Sequence, residues 1–320
     1  MRISSDVLDL IGNTPMVRLR RTAHGVKANV LVKLEYLNPS GSLKDRIALR
    51  MIEEAERDGS LKPGYTIVEG STGNTGISLS LVGALKGYKV VIYMPERVSE
   101  ERIKMMRRYG AEVQIMSAEE ERELKERSVS GAEIEVPLRI KCLEVERSTP
   151  KVWWARQFSN SANVKAHNRT GQEIMDQVDG RVDVFVASVG TGGTIMGVAE
   201  VLKSRFPRAR VVAIEPASSM FPLISGYRKV PGASPEVSGG IIAEMLDKNL
   251  VDNVVQVKDE DAINMAHRLT REEGLFAGIS SGANVLIAIR EALKLGKDRN
   301  VVTVLPDNMD RYLSEEHYTT

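Results

Sequence analysis

The stretch Thr66–Pro95, TIVEGSTGNTGISLSLVGALKGYKVVIYMP, decides the fold class. Thr66–Glu69 opens it as a β-prone run. Gly70–Gly76 places three glycines among short polar residues, which favours a tight loop over helix or strand. Ile77–Lys86 then reads as a small apolar helix, and Gly87 suits its C-cap. Lys89–Met94 reads as a buried strand ended by Pro95. The helix is apolar nearly all round, so it should be covered on both sides.

The same strand–loop–helix–strand order recurs. Val182–Ser188 is a strand, Gly190–Thr194 a loop, Ile195–Lys203 a helix and Val211–Glu215 the next strand. A third copy begins with GLFAGISSGANVLIAIREALKL and ends in VVTVLP. Such repetition predicts an α/β fold with mostly parallel sheets and helices on both faces. Between the first two copies, EEERELKE at Glu119–Glu126 reads as a solvated helix face. Pro137 and Pro150 interrupt the segment after it, and a domain boundary is expected near residue 150.

With 320 residues, the chain has length for about two domains. Its 42% apolar and 27% charged content is that of a globular protein with a large core. Lys+Arg 44 against Asp+Glu 43 leaves a net charge of +1, so no global field attracts nucleic acid or an anionic membrane. A single cysteine, Cys142, excludes an internal disulfide framework and is expected to be a small buried side chain. The histidines His24, His167, His267 and His317 show no metal-ligand spacing, so no metal site is expected. Trp153–Trp154 is assigned to core or interface packing. No apolar run reaches about 18 residues, and the N-terminus lacks the apolar core of a signal peptide. A cytoplasmic location is expected.

Two glycine loops offer ligand sites. Gly190-Thr191-Gly192-Gly193-Thr194 precedes a helix, where free N–H groups and the positive dipole end meet at one point suited to an anion. A plain βα turn is the competing reading. The dinucleotide fingerprint fails because Ile195 stands where a glycine is needed, although Glu215 ends the following strand where a ribose-binding acid would sit. The second loop, Gly70–Gly76, interleaves Ser71, Thr72, Asn74 and Thr75 with glycine. It suits a small carboxylate, unless those groups only satisfy their own turn.

Asn38–Arg46 reads as a turn feeding a helix, capped by Ser40 or Ser42. Lys44 then falls in the first helical turn, where a cation is disfavoured. An imine with an aldehyde cofactor would explain it, since the helix end favours the neutral amine. The competing reading is an exposed lysine followed by a surface Asp45–Arg46 pair.

Taken together, GNTPMVRL (Gly12–Leu19), NPSGSLKDRIA (Asn38–Ala48), GSTGNTGISL (Gly70–Leu79), QFSNSAN (Gln157–Asn163), GTGGT (Gly190–Thr194), GISSGA (Gly278–Ala283) and LPDNMDRYLS (Leu305–Ser314) span nearly the whole chain. In this set the sequence closely resembles the cysteine synthase and cystathionine β-synthase family of pyridoxal-phosphate (PLP) enzymes, which has the tryptophan synthase β-like fold. The resemblance implies two three-layer αβα domains. Residues 1–12 and 38–150 would form a smaller domain carrying the substrate loop, and 13–37 and 151–320 a larger one carrying the phosphate loop.

The resemblance also implies roles. Lys44 would hold PLP covalently and later move the α-proton. Gly190, Thr191, Gly192, Gly193 and Thr194 would bind the cofactor phosphate, Asn74 the ring 3′-oxygen, and Ser280 would face the pyridine nitrogen. Ser71, Thr72, Asn74, Thr75 and Gln157 would clamp the substrate carboxylate. A neutral hydroxyl at the ring nitrogen would couple proton loss to expulsion of a β-leaving group. The implied activity is β-replacement through an α-aminoacrylate, making L-cysteine from O-acetylserine or O-phosphoserine and sulfide. Cystathionine β-synthesis from serine and homocysteine, or diaminopropionate synthesis, are the alternatives within the family. A nicotinamide oxidoreductase and a non-catalytic binding protein are the readings from other classes. A homodimer acting on small molecules is implied.

The chain departs from the family pattern in places. Ser71–Thr72 reverses the usual Thr-Ser order, and Asn308–Asp310 replaces the usual Ser-Gly-Glu. Residues 129–150 and Val237–Ile242 match poorly, which bears on substrate choice. Arg228 is a candidate cation for a phosphorylated substrate, with a plain surface charge as the competing reading.

Overall fold

The computed structural model describes residues 3–96, 98–127, 135–217, 237 and 240–315. Within them the strands form two sheets. The larger has the order β1-β2-β10-β7-β8-β9, built from β1 (Met16–Arg18), β2 (Asn29–Lys33), β7 (Val184–Ser188), β8 (Arg210–Pro216), β9 (Asn253–Val257) and β10 (Asn300–Val304). Only the edge pair β1–β2 is antiparallel. The smaller sheet, β5-β4-β3-β6, is wholly parallel and uses β3 (Thr66–Gly70), β4 (Lys89–Pro95), β5 (Glu112–Met116) and β6 (Val152–Trp154).

Parallel strands need crossovers, and helices supply them. Around the smaller sheet these are α1 (Lys44–Asp58), α2 (Asn74–Leu85), α3 (Glu100–Arg108), α4 (Ala118–Arg127) and α5 (Val136–Ser148). α6 (Ser161–Gln177), α7 (Gly193–Arg205), α8 (Ile241–Asp247), α9 (Asp259–Arg268) and α10 (Ile279–Ala292) come next along the chain. None of the described helices is long and apolar enough to cross a membrane.

The inner strands are covered on both faces, so β4, β7 and β10 read as nearly unbroken apolar runs, whereas the edge strands β1, β5 and β9 are largely exposed or half-buried. Side chains still divide by the two-residue period of a strand. Val30, Val184, Val186, Val212 and Val301 enter one core of the larger sheet. Their neighbours Phe185, Ala187, Val211, Ala213 and Val302 enter the other. In the smaller sheet Ile67, Val90, Ile92 and Trp153 lie on one side, and Val68, Val91, Tyr93 and Trp154 on the other. The two three-layer αβα units expected from the sequence are present. α2 is buried without a break from Thr75 to Gly83, as its unpatterned apolar sequence requires. A β-carbon at Gly83 would lie 2.4 Å from Val90 Cγ2, so this helix rests on its sheet at a distance that only glycine permits.

The solvated segment after Ser117 is helix α4, anchored by buried Leu124 and by a Lys141–Glu120 ion pair to α5. Of residues 129–150, which match the family poorly, 129–134 lie outside the described residues and most of the rest is α5, with Pro137 in its first turn, where the missing N–H costs nothing. β6 begins after Pro150 and joins the smaller sheet, so that sheet draws on residues beyond the boundary expected near 150. Burying Trp153 and Trp154 on opposite faces of the sheet holds the chain there.

Candidate active site

The C-terminal ends of parallel strands leave a crevice, the usual ligand position in open α/β sheets. Here the loops after β3, β7 and β10 meet the start of α1 around a cavity of about 360 Å³. Lys44, Asn74, Gly190, Thr191, Gly192, Thr194 and Ser280 all line it. Gly193, Ser71, Thr72, Thr75 and Gln157 do not line it.

Lys44 is the first residue of α1. Neither of the two serines expected to cap this helix occupies the cap position, which falls to Leu43 without a side-chain cap, although Ser42 Oγ accepts from the Lys44 N–H at 3.2 Å. Ser40 is instead held by Asp45, which accepts from the Ser40 N–H at 2.7 Å and from its hydroxyl. Burial lowers the Lys44 amine to about 8, with Glu135 and Asp307 pulling weakly the other way. The surface pair read at Asp45–Arg46 is overturned, since both side chains are buried and each faces other partners. Arg46 donates to Glu35 at 2.7 and 2.8 Å and to Glu173 at 2.7 Å from both terminal nitrogens. Lys33 joins Glu173 at 2.9 Å, which completes a buried four-charge network under the Gly12–Leu19 and Asn38–Ala48 motifs. Glu173 is held down at about 2 by Arg46 and its other donors against the cost of burial.

The Gly190–Thr194 loop turns through Gly192, whose φ of +85° favours glycine, into the N-terminus of α7. The leading N–H groups of a helix lack intrahelical partners and point at the cavity end. Asn163 braces the loop from behind, donating to Thr191 Oγ1 at 3.0 Å and to the Gln157 carbonyl at 2.7 Å. Its Oδ1 is buried without a hydrogen bond. Thr194 Oγ1 lies 3.2 Å from His167 Nε2, and burial keeps that imidazole neutral well below its usual range. His167 has no metal-ligand spacing, and the sequence pattern carries no signal that it lies under this loop.

The polar residues of the Gly70–Gly76 loop divide. Ser71 serves its own turn, accepting from the N–H groups of Gly73 and Gly76 at 3.1 Å each. Thr75 instead donates to Gln157 Oε1 at 2.6 Å, and Gln157 Nε2 donates to the Gly70 carbonyl at 3.0 Å. Beneath them, Glu69 accepts from the Gln157 N–H at 3.0 Å, Trp154 Nε1 at 3.0 Å and the Gly70 N–H at 2.9 Å. Burial outweighs these donors and pushes the Glu69 carboxyl up to about 7. Asn74 Nδ2 donates to Asp307 Oδ2 at 2.7 Å, so the C-terminal motif reaches the cavity wall. The sequence flagged that motif without assigning its residues a role. Arg228 and His317 lie outside the described residues, as does part of Val237–Ile242.

The comparisons with known proteins agree with this geometry. The chain is 44% identical over 316 residues to a cysteine synthase of Staphylococcus aureus, covering 98% of this chain and 97% of that protein. The crystal structure of a cysteine synthase from Entamoeba histolytica superposes with a TM-score of 0.85 at 34% identity, over 100% of this chain and 92% of the other. An O-ureido-L-serine synthase structure gives a TM-score of 0.82 at 36% identity, covering 98% and 94%. A hydrogen sulfide-producing enzyme of Fusobacterium nucleatum gives 0.82 at 36%, covering 97% and 100%. The nicotinamide reading is thereby set aside, in keeping with Ile195 at the failed fingerprint position. The family model for pyridoxal-phosphate dependent enzymes matches residues 7–307, and to that family this chain belongs.

Proposed function

We propose that this chain makes L-cysteine by β-replacement, from O-acetylserine or O-phosphoserine and sulfide. The observation that carries the reading is Lys44, a buried amine lowered to about 8, on a cavity whose wall also includes a glycine-loop helix N-terminus. The donor set fits the cofactor. Backbone N–H groups and two threonine hydroxyls suit its phosphate, and the Ser280 hydroxyl suits its ring nitrogen.

When bound, pyridoxal phosphate supplies the electron sink into which the Cα electrons move. The protein does the rest. Gly190–Thr194 holds the phosphate dianion at the positive end of α7. Asn74 would donate to the ring 3′-oxygen, and the neutral Ser280 hydroxyl would face the ring nitrogen. Ser71, Thr72, Asn74, Thr75 and Gln157 bind the amino-acid carboxylate, with Gln157 oriented by Glu69. Lys44 removes the α-proton as general base and later returns it. With its value near 8, about one Lys44 amine in ten is neutral at pH 7, far more than for an exposed lysine. Closure of the Gly70–Gly76 loop excludes water from the reacting carbon.

The same reading places the substrate loop on a smaller domain and the phosphate loop on a larger one, in a cytoplasmic homodimer. Exposed Ile3, Val7 and Leu10 along one N-terminal segment support an apolar subunit contact.

A spectral titration of the reconstituted enzyme tests the activity. O-acetylserine or O-phosphoserine should change the visible spectrum, and sulfide should restore it as cysteine accumulates. A response confined to serine followed by homocysteine would overturn the assignment in favour of cystathionine synthesis.

A further inference from the structure

The side-chain amide of Asn74 is held at both ends by one short C-terminal segment. Asn74 Nδ2 donates to Asp307 Oδ2 at 2.7 Å, and Arg311 Nη1 donates to Asn74 Oδ1. An amide can present either its oxygen or its nitrogen at a given place, and only its partners decide which. Here a carboxylate, which only accepts, faces the nitrogen. A guanidinium, which only donates, faces the oxygen. A flipped amide would set oxygen against carboxylate and N–H against guanidinium. The second Nδ2 hydrogen makes no hydrogen bond among the described residues, and Asn74 lines the cavity.

Both partners are themselves fixed. Tyr312 donates its hydroxyl to Asp307 Oδ2 at 2.6 Å, and the Asp307 carbonyl accepts from the Gly278 N–H at 2.9 Å. Arg311 Nη2 donates to the Ser40 carbonyl at 2.7 Å, four residues before Lys44. The fit is tight. A β-carbon at Gly278 would lie 2.3 Å from Asp307 Oδ1, and one at Gly41 would lie 2.7 Å from Arg311 Nη2. The C-terminal motif departs from the family pattern at Asn308–Asp310, between the two residues that hold the amide. Asp307, Arg311 and Tyr312, which build this arrangement, keep the pattern.

We propose that Asp307 and Arg311 are positioning residues that lock the amide orientation of Asn74, so that an N–H and not a carbonyl faces the cofactor ring oxygen. The inference rests on the proposed contact of Asn74 with that oxygen.

The test uses the reconstituted holoenzyme and reads two quantities, the visible absorption maximum of the bound cofactor and its dissociation constant. Asn74→Ala should shift the maximum and weaken cofactor binding about tenfold, the size of one charge-assisted hydrogen bond. Arg311→Met should produce the same shift, whereas Arg311→Lys, which can still donate to Oδ1, should restore most of it. Combined with Asn74→Ala, the Arg311→Met change should add no further shift, because its effect passes through the amide. If Arg311→Met does not fold, Asp307→Ala makes the same test without disturbing the Ser40 contact. A maximum unmoved by both Arg311→Met and Asp307→Ala overturns the lock while leaving the cofactor reading intact. Equal shifts in the presence and absence of the Asn74 amide overturn it too. A wild-type protein that takes up no cofactor overturns both readings together.

Discussion

Gly193 stands so close to Asn163 that a β-carbon on it would lie 1.9 Å from Asn163 Oδ1. No shift of a flexible tip relieves this, since Asn163 is buried and tied to both Gln157 and Thr191. Gly193→Ala should therefore push the glycine loop out of position and weaken cofactor binding by at least about a hundredfold, with a melting temperature that falls less in the cofactor-free protein. Fluorescence titration with pyridoxal phosphate and thermal melts with and without it check this. Unchanged affinity would show that the loop does not hold the phosphate.

Covalent capture of the cofactor needs the neutral Lys44 amine. Its value near 8 means that the neutral fraction rises with pH through that point and levels off above it. The rate at which cofactor-free enzyme gains its visible band should follow this curve, half-maximal near pH 8. An exposed lysine would still be gaining above pH 10. Lys44→Ala should abolish turnover and the lysine-dependent band, as stopped-flow absorbance would show.

The buried network of Lys33, Glu35, Arg46 and Glu173 has its own pH signature. Glu173 is depressed to about 2, so its stabilisation is present above the unfolded value near 4.5 and is lost as pH falls through about 2. Glu173→Gln leaves Arg46 with a buried, partly uncompensated charge and should cost about 3–5 kcal/mol at neutral pH. That deficit should shrink as pH drops toward 2. Denaturant titrations at a series of pH values measure it, and a constant deficit would contradict the assignment.

Glu69 shifts in the opposite sense. Raised to about 7 by burial, its contribution is fully present below the unfolded value near 4.5 and lost as pH rises through 7. The uncharged Glu69→Gln should therefore gain stability relative to wild type between pH 4.5 and 8, by about 3 kcal/mol at most. The same variant presents an amide to the Gln157 N–H and should raise KM for the amino-acid substrate more than it lowers kcat. Paired melts and steady-state kinetics across that range check both effects.

The glycine loops and the strands they follow were legible because both depend on local chemistry. Gly70–Gly76 and Gly190–Thr194 announce turns, and buried parallel strands announce themselves as apolar runs. The charge network was not legible, since Arg46 and Glu173 lie 127 positions apart and a sequence shows neither burial nor partner. Read locally, Asp45–Arg46 is a surface pair; folded, the two residues face different buried partners. The same holds for His167 beneath Thr194 and for Glu69 beneath Gln157, where helix and strand packing brings distant side chains together. The family resemblance named seven residues on the cavity wall and five that do not line it, but assigned no role to Asn163, His167 or Glu69.

Strand β10 lies between β2 and β7 although it follows every other described strand along the chain. On the ribosome, the sheet built from residues 66–154 is contiguous and free to form early. The other sheet must wait with a gap between β2 and β7 until β10 emerges. During that interval β2 and β7 expose unpaired edges, so a pause in translation between β9 and β10 would carry an aggregation hazard.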